Sequence, residues 1–155
     1  GSSEEKRKTA LTLGADHTVD YTKEDWRSDL KELTGGKGVD LVYDPVGGPI
    51  SEAALRSLAP GGRHLVVGFA AGDIPRIPLN LPLLKRCSVV GVALGGFART
   101  EPQNAAPFMH DLMAMIAKGE LKPEGFALYP MADTGRALSD IAARKALGKV
   151  VLTND

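Results

Sequence analysis

The sequence predicts an α/β fold with a parallel β-sheet, and three observations lead to this class. Short apolar runs of buried-strand length occupy residues 39–44, 64–68 and 87–94. Segments with apolar residues at helical spacing separate these runs. Each run leads into a glycine-containing turn. Because strands that alternate with helices are joined by right-handed crossovers, we expect a parallel sheet that is covered on both faces.

The first third of the chain is expected to hold two helices with a short strand between them. The first helix is predicted to stop at Gly14 and the second, which starts near Trp26, at Gly35. The intervening strand is expected around Val19 and ends at Tyr21. The strand at residues 39–44 follows the second helix.

The rest of the chain continues the alternation. A helix is predicted at residues 51–58, a turn at 60–62, then the strand at 64–68, a proline-rich stretch at 74–82 and the strand at 87–94. A longer helix is expected to stop at Gly119. A short apolar segment around Leu128, a helix through Ala137 and a terminal strand at 149–152 complete the expected order of elements.

Composition excludes several classes of protein. The 155 residues carry 19 basic and 19 acidic side chains, which argues against nucleic acid or an anionic membrane as the main partner. No apolar run has the length of a membrane span or of a secretory signal, so a cytoplasmic protein is expected. Cys87 is the single cysteine and excludes an intramolecular disulfide or a cysteine-rich zinc site. Three dispersed histidines show no metal or triad spacing, and we interpret them as surface or core residues.

A ligand site is expected at the carboxyl ends of the parallel strands. These ends correspond to Tyr21 and to residues 44–48, 68–72 and 94–97. Glycine there allows backbone to approach a flat ligand, although such loops also need glycine for their turns. An acid at a strand end, such as Asp44, more often caps the next turn than orients a base or binds ribose.

Ser2, Ser3 and Lys6 precede and begin the first helix, and two interpretations remain open. The serines fit a helix N-cap followed by solvated charge. Alternatively, small polar and basic residues at the end of the second strand of a nucleotide-binding sheet hold the 2′-phosphate of NADP, where NAD enzymes use an acid. Residue spacing alone does not choose between them.

Taken together, the motifs resemble the medium-chain dehydrogenase/reductase superfamily, and within it the zinc-independent NADPH:quinone oxidoreductase branch. They are S-x-E-K-(x)7-GAD-(x)3-DY, TGGKGVDLVYDPVGG, LAPGGRHLVVGFAAG and the terminal GKVVL. The resemblance covers essentially the whole chain. It implies NADPH as cofactor and a quinone or activated alkene as the small-molecule hydride acceptor.

The resemblance also implies which residues contact NADPH. Lys6 and Tyr21, with the two serines alongside, would hold the adenosine 2′-phosphate, and three strand-end turns would contact the ribose and nicotinamide side. The implied cofactor residues are Ser2, Ser3, Lys6, Tyr21, Val46, Gly47, Gly68, Phe69, Ala70, Ala93, Leu94, Gly95, Arg144 and Lys149. No catalytic residue and no metal ligand is carried over.

The same resemblance implies a partial Rossmann domain. Residues 1–155 would form a truncated nucleotide-binding domain in which 126–155 are the C-terminal return segment. The N-terminal catalytic domain, the first two strands and the Gly-rich turn would be absent, and no G-x-G-x-x-G occurs in the sequence. The strand near Val19 would then lack its neighbours, and the strand at 39–44 would expose a raw edge.

The sequence also leaves open two alternative functions and predicts that two copies of the chain associate. A methyltransferase is the first alternative, because residues 58–63 followed by an apolar strand are frequent in that class. A non-catalytic truncated module is the second. The uncharged strand at 88–94 is predicted to pair with its copy in a homodimer, unless the proline-rich stretch 74–82 folds over it.

Overall fold

The computed structural model describes residues 1–122, 126–143, 145–146 and 148–154. They fall into two compact units, a first unit Gly1–Gly96 and a second unit Phe97–Asp155. Every described strand pair is parallel. The α/β class with a parallel sheet, expected from the alternation of strands and helices, is therefore confirmed.

The described helices and strands follow most of the predicted order, with two additional short helices, Asn80–Lys85 and Leu94–Thr100, that were not predicted. The strands are β1 (Val39–Asp44), β2 (Leu58–Val66), β3 (Ser88–Gly91), β4 (Phe126–Pro130) and β5 (Lys149–Thr153). The helices are α1 (Glu4–Thr12), α2 (Trp26–Leu33), α3 (Ile50–Arg56), α4 (Asn80–Lys85), α5 (Leu94–Thr100), α6 (Pro102–Ala117) and α7 (Thr134–Ala142), with a 3-10 turn at Met131–Asp133.

The first unit is built on a three-stranded sheet in the order β1-β2-β3, with β2 in the centre. The apolar faces of α3 and α4 cover it with a small core of Leu55, Leu58 and Leu81, each at most 5% exposed. Half-buried Val42 and Cys87 pack against this core. Cys87 is therefore a small core residue, as expected.

The turn predicted at residues 60–62 lies inside β2 as an irregularity rather than before it. Val39 pairs with Leu58 and Leu41 with Arg63, so β2 carries extra residues against β1 at this point. The amide of Gly61 donates to the carbonyl oxygen of Arg86 at 2.8 Å. This backbone hydrogen bond keeps the proline–glycine segment in the sheet, as in a β-bulge.

The strand predicted around Val19 is not formed. Residues 17–20 have no regular secondary structure, and Tyr21 lies in a turn. No described strand pairs with this segment, and an isolated strand leaves its backbone groups unsatisfied. Local polar contacts hold it instead, because Arg7 Nη1 lies 3.0 Å from Asp20 Oδ2 and the Asp20 carboxylate accepts hydrogen bonds from Thr22.

The strand predicted at 87–94 is shorter than expected. β3 covers only Ser88–Gly91, and a helix begins at Leu94. The central strand β2 ends at Val66, whose carbonyl oxygen accepts the last hydrogen bond from the amide of Val92 at 2.9 Å. Residues 93 and 94 therefore have no strand to pair with, which ends β3.

Both outer strands of the first unit are exposed at their edges. β1 is an outer strand with no described partner on one side, in agreement with the raw edge expected there, and Leu41 and Tyr43 on one of its faces are 46% and 65% exposed. Val89 and Val90 of β3 are 46% and 37% exposed, so the proline-rich stretch does not cover them. α4 occupies part of that stretch and continues beyond it.

The second unit joins the parallel strands β4 and β5 through α7. Tyr129 Oη donates to Asp140 Oδ2 at 2.9 Å, which fixes α7 to β4, and the guanidinium of Arg136 lies 5.1 Å from the centre of the Tyr129 ring. In the part of the chain that the structure describes, no helix is both long and apolar enough to cross a bilayer.

Candidate functional site

The loops that follow β1 and β2 interlock at the carboxyl edge of the sheet. The amides of Ala70 and Ala71 donate to the carbonyl oxygens of Pro45 and Val46 at 3.2 and 2.8 Å. Gly47 has φ +70°, and a Cβ added there would lie 2.8 Å from a ring carbon of Phe69. Glycine is therefore required at this position by the packing of one loop against the other.

A buried polar cluster fixes the loop after β1. Asp44 Oδ1 accepts hydrogen bonds from the amides of Val46 and Gly47 at 3.0 and 2.9 Å. Asp44 Oδ2 accepts from Ser51 Oγ at 2.5 Å and from His64 Nε2 at 3.1 Å. Asp44 therefore caps the next turn, as expected for an acid at a strand end.

The cluster is almost fully removed from water, with Asp44 8%, Ser51 1% and His64 1% exposed. Burial acts to raise the pKa of the Asp44 carboxyl. Hydrogen bonds from the Ser51 hydroxyl, the amides of Gly47 and Val46, and His64 outweigh burial and hold that pKa below its usual value. Asp44 is therefore ionised at neutral pH, and its charge is stabilised by donors on three elements.

A cavity of about 420 Å³ lies beside β1 and reaches the loop after it. Tyr21, Asp44 and Val46 line it together with apolar side chains that include Trp26 and Val42. We call it the β1 cavity. It brings together two of the residues predicted to contact a cofactor, Tyr21 from the irregular segment and Val46 from the strand-end loop.

Lys6 does not itself line the β1 cavity, but it lies on α1, the helix that contributes Ala10 to the lining. Ala10 lines this cavity, and Lys6 precedes Ala10 by four residues, so the two share one face of the helix. Lys6 is half-buried, whereas Ser2 and Ser3 are exposed. Ser3 is the N-cap of α1 and accepts a hydrogen bond from the amide of Lys6 at 3.3 Å.

The remaining predicted cofactor residues lie at different places. Gly68, Phe69 and Ala70 belong to the loop after β2, which contacts the loop of Val46 and Gly47. Ala93 links β3 to α5, and Leu94 and Gly95 are the first residues of that helix instead of a strand-end loop.

Of the last two predicted cofactor residues, one lies in the second unit. Lys149 is an exposed residue at the start of β5. Arg144 lies outside the described residues.

Comparison with known proteins identifies the family. Residues 1–111 match the sequence pattern of the family described as "Zinc-binding dehydrogenase", which is well over half of the chain. The chain belongs to this family. The resemblance inferred from the sequence motifs is thereby confirmed at the level of the family, and the methyltransferase alternative is not supported.

Related proteins and structures agree with this assignment. "Quinone oxidoreductase-like protein 2 homolog" from Nematostella vectensis is 36% identical over 152 residues, which cover 97% of this chain and 42% of that protein. The Pseudomonas syringae quinone oxidoreductase structure is 34% identical with a TM-score of 0.85 and is matched over 98% of this chain and 47% of its own.

A structure of Escherichia coli quinone oxidoreductase complexed with NADPH is 30% identical with a TM-score of 0.84, over 97% of this chain and 47% of its own. The chain therefore spans about half the length of the dehydrogenase relatives that it matches.

The described part of this chain contains no group of side chains that could bind zinc. Among residues 1–122, 126–143, 145–146 and 148–154, no three His, Cys, Asp or Glu side chains come together in a way that would hold a metal ion. His64 is engaged with Asp44, and Cys87 packs against the core.

Sequence reasoning missed the partners of Asp44. Ser51 and His64 carry no recognisable motif, and His64 was interpreted only as a surface or core residue. The signal that could have found His64 is register: it pairs with Val42, so it is the diagonal neighbour of Asp44 on the same face of the sheet. This register can be derived only if the position of the bulge in β2 is known, and the sequence does not reveal that position.

Proposed function

We propose that this chain is the NADPH-binding part of an oxidoreductase that passes hydride to a quinone or an activated alkene. The observation that carries the proposal is the meeting of Tyr21 and Val46 in the β1 cavity of a member of the dehydrogenase family, with Lys6 on the helix whose Ala10 lines that cavity. Quinone oxidoreductases among the relatives, one of them complexed with NADPH, support it.

Lys6 and Tyr21 suit the adenosine 2′-phosphate of NADPH. An ammonium group is a compact cation that attracts phosphate, and a phenol adds a hydrogen bond. Ser2 and Ser3 add exposed hydroxyls beside Lys6. Glu4 and Glu5 begin the same helix and are the acids that would favour ribose hydroxyls instead.

The interlocked loops suit the ribose and nicotinamide side of the cofactor. Val46, Phe69 and Ala70 are exposed at the carboxyl edge of the sheet, where parallel α/β sheets bind ligands. Because Asp44 holds the amides of Val46 and Gly47, the loop has a fixed shape before a ligand arrives. A prearranged site loses less conformational entropy on binding.

NADPH itself supplies the hydride, whereas the residues of this chain bind and orient it. No general acid is assigned, because the contacts to the acceptor are expected outside this chain. We infer zinc-independent chemistry, since hydride transfer to a quinone or activated alkene needs positioning and polarisation of the acceptor. A cytoplasmic location stays a prediction from the sequence.

A non-catalytic module is the competing proposal for the isolated chain. The exposed edge of β1 and the largely apolar β1 cavity beside it favour completion of the sheet by a further strand. That strand would belong to the remaining half of the enzyme or to an exchanged copy of this chain. Under either arrangement the 155-residue chain alone has an incomplete cofactor site.

We also propose a homodimer that forms through β3 and the residues following it. The strand carries no charge, and Val89, Val90 and Val92 are between 37% and 46% exposed. An uncharged, exposed edge strand pairs readily with another strand. Pairing with its own copy across a two-fold axis would use one patch on both subunits.

The cofactor proposal is tested by Lys6→Ala in the enzyme that carries this chain. We expect NADPH binding to weaken by about 1.5–3 kcal/mol, the contribution of a hydrogen bond to a charged group. NADH lacks the 2′-phosphate, so its affinity should stay unchanged. Lys8→Ala on the same helix is the matched control, since Lys8 pairs with Glu4. Equal losses for NADPH and NADH would refute the phosphate assignment.

A further inference from the structure

A second cavity lies at the amino ends of β1 and β2, opposite the interlocked loops. It has a volume of about 250 Å³ and is bordered by Leu30, Gly38 and Leu58. Five cationic side chains line it, and no Asp or Glu does. We call it the basic cavity; its cations are Arg27, Lys31, Lys37, Arg56 and Lys85.

The fold explains why these cations meet. Helices that connect parallel strands run against the strands, so their C-terminal ends reach the amino edge of the sheet. Lys31, Arg56 and Lys85 lie in the last turns of α2, α3 and α4. Arg27 precedes Lys31 by four residues on the same helix face, and Lys37 follows in the glycine-rich loop before β1.

Gly38 brings the loop close enough to close the cavity. It has φ +88°, and a Cβ added there would lie 2.5 Å from the carbonyl oxygen of Ser57. Only glycine fits so close to the backbone between α3 and β2. The loop that carries Lys37 is therefore fixed against the residues that follow Arg56.

The positive charge of the basic cavity is largely uncompensated. Glu52 forms an ion pair with Arg56 at 2.7 Å, whereas the other four cations make no ion pair with any carboxylate in the described part of the chain. The three helix C-termini carry about half a negative charge each. They and Glu52 together offset less than three of the five positive charges.

This surplus does not follow from the composition. The chain as a whole balances 19 basic against 19 acidic side chains. Arg27 and Lys31 also form a like-charge pair at i,i+4, an arrangement that destabilises a helix in the absence of an anion. Arg27, Lys31, Lys37 and Arg56 are exposed, so water screens part of this repulsion, and an anion in the cavity would offset the remainder.

We propose that the basic cavity binds a small phosphate-bearing anion of the diphosphate class. The guanidinium group of Arg27 matches the geometry of phosphate oxygens, and the lysines add compact positive charges, whereas Arg56 already binds Glu52 through Nε and Nη2. Its volume lies below the roughly 300–1,000 Å³ of pockets that enclose whole drug-sized ligands. It therefore accepts phosphate groups rather than an entire nucleotide.

This site is separate from the proposed cofactor site. β1 runs from Val39 at the basic cavity to Asp44 at the interlocked loops. Five steps of about 3.3 Å place the two edges about 17 Å apart. Binding in the basic cavity therefore uses neither Lys6 nor Tyr21 nor Val46.

Isothermal titration of the 155-residue chain with sodium diphosphate tests the proposal. We expect saturable one-to-one binding that is tighter than for inorganic phosphate. Lys31→Gln with Lys37→Gln should weaken diphosphate binding at least about tenfold, as expected for lost hydrogen bonds to a charged ligand. The control Lys118→Gln with Lys122→Gln removes equal charge outside the cavity and should leave the affinity unchanged. A parallel titration with ADP distinguishes the two forms of the ligand. If the cavity binds the diphosphate of a nucleotide, ADP should bind and lose affinity in the cavity variant as diphosphate does. If it binds only a free inorganic anion, ADP should not bind there.

Amide chemical shifts of the unmodified chain give a second readout that needs no variant. Diphosphate should shift the amides of residues 36–38 and of Ser57, which border the cavity. No saturable binding, equal weakening by both double variants, or shifts confined to other residues would each overturn the proposal.

Discussion

The buried cluster around Asp44 gives the sharpest stability prediction for the first unit. Ser51→Ala removes one hydroxyl and keeps the Cβ, so it deletes a hydrogen bond of 2.5 Å to an ionised carboxylate at a site that is only 1% exposed. A hydrogen bond to a charged group contributes about 1.5–3 kcal/mol. We therefore expect the free energy of unfolding to fall by about 1.5–3 kcal/mol.

Ser57→Ala is the matched control. Ser57 Oγ donates to the carbonyl oxygen of Ala53 at 2.9 Å, a bond between neutral groups that is half-buried. Its removal should cost at most about 0.5–1.5 kcal/mol. The two variants remove the same atoms, so a larger loss for Ser51→Ala reflects the charge on Asp44 together with the deeper burial of its hydrogen bond.

Urea unfolding followed by fluorescence is the assay. Trp26 is the single tryptophan, lies in the first unit and is half-buried, so its emission reports on this unit. A Ser51→Ala loss below about 0.5 kcal/mol, or a loss no larger than that of Ser57→Ala, would refute the stabilising role assigned to the cluster.

Three further predictions follow from the same structure. Hydrogen bonds lower the folded-state pKa of Asp44, so its stabilisation is complete above the unfolded value of about 4 and is lost as pH falls through the lowered folded value. The Ser51→Ala deficit should therefore be smaller in urea titrations below about pH 4 than at pH 7. The purified 155-residue chain should not turn over quinone, and steady NADPH oxidation at a reductase-like rate in a spectrophotometric assay would contradict this. The unmodified chain should be a dimer by light scattering at tens of micromolar and Val90→Lys should dissociate it; a monomer removes the dimer proposal, and a dimer that survives the change points to the β1 edge instead.

The sequence predicted most elements because they depend on local pattern. The apolar run at β1 and the spacing of Trp26, Leu30 and Leu33 in α2 determine those elements within a few residues. Whether a predicted strand forms, and how long it is, also depended on a partner strand to pair with. The segment around Val19 has strand-like residues but no described partner strand, and β3 ends early because β2 ends at Val66.

The candidate site was predictable only where it follows from strand ends. Val46 and Gly47 come directly after β1, so the loop could be located without coordinates. Ser51 and His64 could not be assigned to Asp44, because their meeting depends on the register between β1 and β2. The basic cavity was missed for the same reason, since its cations come from three helices that meet only in the folded chain.

Our central proposal is that Tyr21 at the β1 cavity and the neighbouring Lys6 recognise a 2′-phosphorylated adenosine. Chromatography of the 155-residue chain on immobilised 2′-phospho-adenosine, beside immobilised S-adenosyl-homocysteine, tests it most directly. We expect retention on the first matrix and not on the second, with the retention reduced by Lys6→Ala. Retention on S-adenosyl-homocysteine, or equal elution from both matrices, would contradict the account.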